Sequence, residues 1–180
     1  MPAIKLVSFH FRFSEFLQPL AETIQRIVGW SVDLEPLDFD YSYAFHPERR
    51  QYHSSQILLG IKNLSSPGQN KMLAVTDLDL FIPILTFVFG EAQLDGPAAV
   101  VSTFRLRPEY YGLPQDNNLV LQRLIKECIH EIGHTFGLVH CWNPGCVLNA
   151  STYVEEIDLK TDEFCRDCKR NLGRAQEKLL

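Results

Sequence analysis

One stretch of the chain sets three histidines, a glutamate and a glycine at regular intervals. His130, Glu131, His134, Gly137 and His140 follow the pattern H-E-x-x-H-x-x-G-x-x-H. Histidines four apart on a helix project from one face, with Cβ atoms about 5–6 Å apart. That separation lets two imidazole nitrogens reach one ion at about 2.0–2.1 Å each. We therefore predict a helix that ends in a metal site.

The glycine in this pattern allows a third ligand. A straight helix would carry His140 away from the ion, but glycine enters the left-handed conformation at low cost and commonly ends helices. We predict that the chain turns back at Gly137 and presents His140. Three neutral histidines leave the fourth tetrahedral position of zinc open for water, as in catalytic sites. Glu131 would then act as the general base.

Two other interpretations of these residues stay open. The histidines could be hydrogen-bonded side chains at a polar helix end, with no metal between them. They could also hold a metal without catalysis, as a sensor or a storage site does. The presence of Glu131 favours catalysis, because a site that only senses or stores an ion has no need of a base beside it.

Four of the five cysteines cluster in the last quarter of the chain. Cys141 and Cys146 flank a tight turn, and Cys165 and Cys168 lie three apart in the first turn of a predicted helix. Two short-spaced thiolate pairs from separate segments are typical of a closed structural zinc site. Two disulfides, or a redox-active Cys-x-x-Cys, are the alternatives. Because Cys141 directly follows His140, a structural zinc there would fix the backbone that aims the histidine.

Strands alternate with helices in the first half of the chain, and helices dominate the end. This order predicts an α/β or α+β fold with a mixed sheet. We expect a single domain over residues 1–180, in which 1–136 carry the sheet and the active-site helix. Residues 137–180 then hold the third histidine and the cysteine site. Apolar periodicity predicts strands over 3–9, 31–37, 71–80, 86–92 and 98–106, and helices over 14–29, 51–63 (ended by Ser65, Pro67 and Gly68), 117–136 and from Thr161 onward.

Composition excludes several classes of protein. With 46% hydrophobic and 22% charged residues, the chain has the composition of a globular protein. A net charge of −5 disfavours nucleic acid as a partner. The longest apolar run, over 78–90, is too short and too interrupted to span a membrane. No signal-peptide apolar region precedes the domain, so we expect a cytoplasmic protein without a pro-segment.

The combined pattern of histidines and cysteines resembles that of the archaemetzincins, a branch of the metzincin metallopeptidases. The resemblance covers residues 71–168 well and the first 70 more loosely. It implies a compact zincin domain, a twisted mixed sheet packed with helices, with two zinc ions per chain, one catalytic and one structural. It also implies a hydrolase that cleaves the peptide bonds of a peptide or protein through a metal-activated water. We expect this protein to be a monomer. A non-catalytic zinc module that binds a peptide in the same groove remains the alternative.

At one position the chain departs from that family. Leu148 stands where metzincins carry the methionine of a turn beneath the metal. Leucine and methionine are close in volume, so we expect the site to keep its shape. The resemblance further implies that the strand beginning at Ala98 edges the substrate cleft, where an extended peptide would add main-chain hydrogen bonds.

Overall fold

The structure, a computed structural model, describes residues 2–65 and 70–179. Pro67 and Gly68, expected to end a helix, lie outside these residues. The strands are Ala3–Ser8 (β1), Ser31–Pro36 (β2), Phe45–His46 (β3), Gln51–His53 (β4), Lys71–Thr76 (β5), Leu80–Phe81 (β6), Gly90–Ala92 (β7) and Ala98–Ser102 (β8). The α-helices are Leu17–Val28 (α1), Ser54–Leu64 (α2), Asn117–Thr135 (α3), Val154–Leu159 (α4) and Arg166–Glu177 (α5), and short 3-10 helices cover Ser14–Phe16, Ser42–Ala44 and Pro108–Tyr111.

A five-stranded sheet in the order β2-β1-β5-β8-β7 forms the centre of the fold. Strands β2, β1, β5 and β8 run parallel to one another, and β7 pairs antiparallel with β8 at one edge of the sheet. A smaller sheet has the order β3-β4-β6. The mixed sheet with its helices confirms the predicted fold class.

Helices cover both faces of the large sheet. Successive side chains of a strand point to opposite faces, and along β5 Leu73 and Val75 pack with α1 and α3, whereas Met72 and Ala74 pack with α2. Every residue of β5 is buried, as expected for a central parallel strand that is covered on both faces.

The larger core continues from the sheet into the last part of the chain. Ile129 of α3, Val147, Phe164 and Leu172 of α5 belong to the same buried cluster as the sheet residues. The segment after residue 136 therefore packs on the same hydrophobic core as the sheet.

Within the described residues, no helix has both the length and the apolar character that crossing a membrane requires.

The last helix begins later than predicted. Its N-cap is Cys165 rather than Thr161, because the Thr161 hydroxyl donates to the Gly145 carbonyl at 2.7 Å and ties this residue to the preceding turn. Between Gly145 and Thr161 the chain also forms the short helix α4, which the apolar periodicity did not predict.

The strand predicted over 86–92 is shorter than expected and covers only β7. At the start of this segment the guanidinium of Arg49 donates to the carbonyls of Leu85 at 2.7 Å and Thr86 at 3.1 Å. Val88 pairs with Leu80 only through an isolated antiparallel bridge, so continuous strand pairing begins at Gly90.

Candidate active site and metal centre

Helix α3 brings His130 and Glu131 to a cleft. The carboxylate of Asp116 accepts a hydrogen bond of 3.0 Å from the Leu119 amide and caps the start of the helix. Leu124, Cys128 and Ile132 are fully buried in the core and fix the rotation of the helix about its axis. With this rotation His130 and Glu131 line the cleft.

The chain reverses after α3 at Gly137, whose φ of 81° is left-handed. Its amide donates to the His134 carbonyl at 2.9 Å, and the Leu138 amide donates to the Gly133 carbonyl at 3.2 Å. These bonds close the end of the helix in the manner of a glycine cap. The reversal returns the chain to the cleft, which His140 lines.

Two neighbouring segments hold this helix end in place. The ammonium of Lys71, at the start of β5, donates to the carbonyls of Thr135 at 2.7 Å and Gly96 at 3.1 Å. The amide of Asp95 donates to the His134 carbonyl at 2.9 Å. The central strand and the β7–β8 turn therefore position the point at which the chain reverses.

The three histidines converge. One nitrogen from each of His130, His134 and His140 lies within 4.8 Å of the others. The Nε2 atoms of His130 and His134 are 3.0 Å apart. Two nitrogens bound at 2.0–2.1 Å to one tetrahedral ion stand about 3.3 Å apart, so the spacing fits a shared ion.

The hydrogen bonds of these rings decide their tautomers. Nδ1 of His130 lies 2.8 Å from the Val147 carbonyl, and Nδ1 of His134 lies 2.7 Å from the Leu138 carbonyl. A carbonyl only accepts, so each Nδ1 donates and each neutral ring keeps a lone pair on Nε2. Burial above all lowers the pKa of both histidines, that of His130 well below its ordinary value. Two lone pairs that face each other are stabilised by a cation between them, and this is the fit expected of a metal site.

Glu131 is buried beside these rings. A Cβ on Gly90 of β7 would come within 2.9 Å of its Cγ, which shows how closely the edge strand approaches. Burial, followed by the neighbouring carboxylate of Glu127, raises the pKa of Glu131 well above its ordinary value. The cleft in front of it has a volume of about 180 Å³.

Leu148 packs beneath the histidines. It is fully buried, and its Cδ2 would lie 2.9 Å from a Cβ on Gly133, the residue before His134. The leucine thus forms an apolar floor under the last turn of α3. A methyl group added at Gly133 would collide with that floor.

The four clustered cysteines also converge. Their Sγ atoms lie within 4.8 Å of one another, and those of Cys141 and Cys165 are 3.8 Å apart. A disulfide needs about 2.05 Å, whereas thiolates bound to tetrahedral zinc at about 2.3 Å stand roughly 3.8 Å apart. All five cysteines carry free thiols. The arrangement fits a closed metal site rather than the two disulfides.

The cleft has a different edge from the one expected. Strand β8 has a neighbour on each side, and β7 is the outer strand of the sheet. The residues before and within β7, Phe87–Gly90, line the cleft opposite the loop Ala150–Thr152. The strand that edges the cleft is therefore β7, and the implication that this was the strand beginning at Ala98 is wrong.

A buried ion pair beside the cleft was missed from the sequence. Nζ of Lys160 lies 3.0 Å from Oε1 of Glu127, which lies one turn before Glu131 on α3. A signal was present, since Glu127 occupies the buried side of α3 beside Cys128, and a carboxylate there requires a partner. The identity of that partner, 33 residues later, has no local signature.

An active-site helix with two histidines, a glycine reversal that returns a third, and a buried glutamate at the edge of a mixed sheet define a metallopeptidase. Comparison with known proteins assigns the family. The model of peptidase family M54 matches residues 48–174. The chain belongs to this family, the archaemetzincins.

Relatives and solved structures agree with this assignment. The archaemetzincin of Methanocaldococcus jannaschii is 38% identical over 158 residues, which cover 88% of this chain and 86% of that protein. The crystal structure of the Methanopyrus kandleri archaemetzincin has a TM-score of 0.85 at 33% identity and covers 98% of this chain and 96% of its own. A zinc-dependent peptidase from Methanocorpusculum labreanum also has a TM-score of 0.85, at 30% identity, and covers 94% and 100%.

Proposed function

We propose that the chain is a zinc-dependent peptidase in which His130, His134 and His140 bind the catalytic zinc and Glu131 is the general base. The observation that carries this is the pair of Nε2 lone pairs 3.0 Å apart, next to a buried carboxylate in a cleft. Three neutral nitrogen donors are the ligand set of catalytic zinc.

Each residue of the site has a part in hydrolysis. Zinc held by the three histidines would supply a Lewis acid that polarises a carbonyl and makes water more acidic. Glu131 accepts the proton of the attacking water and donates it to the leaving amine, and burial, which raises its pKa, makes this carboxylate a better proton acceptor than an exposed one. Strand β7 aligns an extended peptide through its free backbone edge.

We also propose that Cys141, Cys146, Cys165 and Cys168 bind a second, structural zinc. Four thiolates close the coordination shell and leave no position for water. The amide of Cys165 lies 3.3 Å from Sγ of Cys146 and stabilises negative charge there. Elemental analysis of the purified protein should find about two zinc ions per chain. A single zinc ion per chain would contradict one of the two proposed sites.

The whole of this chemistry lies in one chain, so we propose a single domain that works as a monomer. Light scattering at working concentration tests the oligomeric state. Four reduced thiols at a metal site suit a reducing compartment, and for this reason we place the protein in the cytosol.

The test of the function is cleavage of a broad peptide library by the zinc-loaded protein. Wild type should cleave, and Glu131→Ala should lose at least about 100-fold in rate while it keeps its zinc. Glu15→Ala, at an exposed position in a 3-10 helix, is the matched control and should cleave like wild type. A fully loaded wild type that binds peptides but cleaves none would favour the non-catalytic peptide-binding module instead.

A further inference from the structure

The ion pair between Glu127 and Lys160 has no part in the hydrolysis described above. Glu127 lies four residues before Glu131, so both carboxylates project from the same face of α3. The side chains of Lys160 and Glu127 are 1% and 6% exposed. Burial of two charges costs free energy. Because Glu127 also lines the cleft, its position suggests a role of the ion pair in binding substrate.

Lys160 compensates the charge of the glutamate. Its ammonium lies 3.0 Å from Oε1 of Glu127 and donates to the carbonyl of Asn149 at 3.1 Å. The contact with Oε1 lies off the direction of a good hydrogen bond, so it is an ion pair. Together the two side chains carry no net charge.

The glutamate still faces the cleft. Glu127 is one of the residues that line the volume of about 180 Å³ in front of the histidines. Its Oε1 is sealed from solvent beside the ammonium, which leaves Oε2 as the oxygen that a ligand meets. The side walls come from Phe87–Gly90, which is apolar, and from Ala150–Thr152, which adds the hydroxyls of Ser151 and Thr152. Two carboxylates line the cleft, and Glu127 is the one that the mechanism above leaves without a role.

We propose that Glu127 is a specificity-determining residue. Its Oε2 accepts a hydrogen bond from the side chain of a substrate residue next to the scissile bond, and Lys160 makes the cleft select neutral donors such as threonine, glutamine or tyrosine. This inference rests on the proposed peptidase function. A lone carboxylate would favour lysine or arginine, but a cation entering here would add to the charges of Lys160 and the metal. A side chain without a donor would leave the buried oxygen unpaired.

Peptide pairs that differ only in a donor test this selection directly. At each position beside the scissile bond, threonine is compared with valine, tyrosine with phenylalanine, and both with lysine. Wild type should favour the donor of each pair by about tenfold or more in kcat/KM, since a site built to hydrogen-bond a substrate rejects the analogue that lacks the donor. Lysine should rank below threonine.

Exchanges of charge then separate the two partners. Lys160→Met leaves the carboxylate unpaired and should move the preference to lysine and arginine. Glu127→Gln leaves the ammonium unpaired and should move it to aspartate and glutamate. Because an unpaired buried charge can unfold a protein, the double variant Glu127→Gln/Lys160→Met removes both charges at similar volume, and it should fold and lose the preference for either charge.

Binding measured without catalysis keeps the two proposals distinct. The same peptides are titrated onto zinc-loaded Glu131→Gln by calorimetry, and the ranking of Kd should follow that of kcat/KM. Ranked affinities with no cleavage by wild type would contradict the peptidase function and support the selection by Glu127. Cleavage or binding with equal values for both members of each pair, unchanged in the variants, would overturn the selection alone. A wild type that prefers lysine would overturn the role of Lys160.

Discussion

The amide of Cys141 donates a hydrogen bond of 2.9 Å to the carbonyl of Leu148. The side-chain amide of Asn149 donates to the Cys141 carbonyl at 2.9 Å. The backbone directly after His140 is thus held by the loop that supplies the floor of the histidine site. The thiol of the same cysteine belongs to the other cluster, so the two clusters share a short piece of fixed backbone.

This relationship predicts that damage to the cysteine cluster reaches the histidines. Cys165→Ser should weaken zinc binding at the histidine site by about tenfold or more, the size typical when a group that supports a metal ligand is lost. Competition with a chelator, followed by the zinc released per chain, measures the affinity.

Glu15→Ala is the control for this experiment. Glu15 is exposed in the 3-10 helix Ser14–Phe16 and belongs to neither cluster, so the affinity of the histidine site should stay at the wild-type value. A folded Cys165→Ser protein with unchanged affinity at that site would show that the clusters are independent.

A second prediction concerns the floor of the site. Leu148→Met should change the free energy of unfolding by less than about 1.5 kcal/mol, because the two side chains are close in volume. Leu148→Ala should cost about 2–5 kcal/mol, because it leaves a cavity beneath the last turn of α3. Urea unfolding of both variants gives the difference, and equal stabilities would mean that the leucine does not carry the packing.

A third prediction compares two glycines. In Gly90→Ala the new Cβ would lie 2.8 Å from the Val100 carbonyl oxygen and 2.9 Å from Cγ of Glu131. Overpacking of this kind costs about 1–3 kcal/mol, and the displaced glutamate should lower kcat/KM as well.

The counterpart is Gly173→Ala in α5, where a Cβ meets no atom within 4 Å. Alanine favours the helix, so this variant should gain up to about 1 kcal/mol and keep full activity. Thermal unfolding and a cleavage assay on both proteins decide the matter, and an active, stable Gly90→Ala protein would place the edge strand farther from Glu131.

A fourth prediction follows from the raised pKa of Glu131. The unfolded carboxyl ionises near pH 4.3, whereas the folded one holds its proton to higher pH. The unfolded state therefore binds fewer protons between the two values, and stability falls as the pH rises through this window.

Glu131→Gln has no proton to lose and should escape this fall. With the histidine site stripped of metal, its stability relative to wild type should increase from pH 4 upward. Urea midpoints measured across this range test it, and a difference that does not vary with pH would contradict the raised pKa.

How much the sequence reveals depends on the range of the interaction. The convergence of His130 and His134 follows from helix geometry alone, and the return of His140 follows from the one glycine that can reverse the chain. The grouping of Cys141 with Cys165 follows from thiol chemistry. For the histidines the signal lies within eleven residues, and for the cysteines it lies in the short spacing within each of the two pairs.

Other features depend on contacts between distant segments. The partner of Glu127 is Lys160. The residues around Glu127 and those around Lys160 in the sequence do not show that the two side chains meet in the folded core. The position of β7 at the edge depends on how all five strands are ordered. The last helix starts at Cys165 because the Thr161 hydroxyl donates to the Gly145 carbonyl. Sequence preferences for N-cap residues do not predict this long-range hydrogen bond.

Strand β7 is only three residues long, and this has a consequence for the size of what the cleft accepts. So short an edge offers few backbone hydrogen bonds, and backbone pairing reads no sequence. We expect a tripeptide or tetrapeptide to gain most of the affinity that a long chain gains. We therefore expect short peptides to be better suited to this cleft than an extended sequence motif within an intact protein.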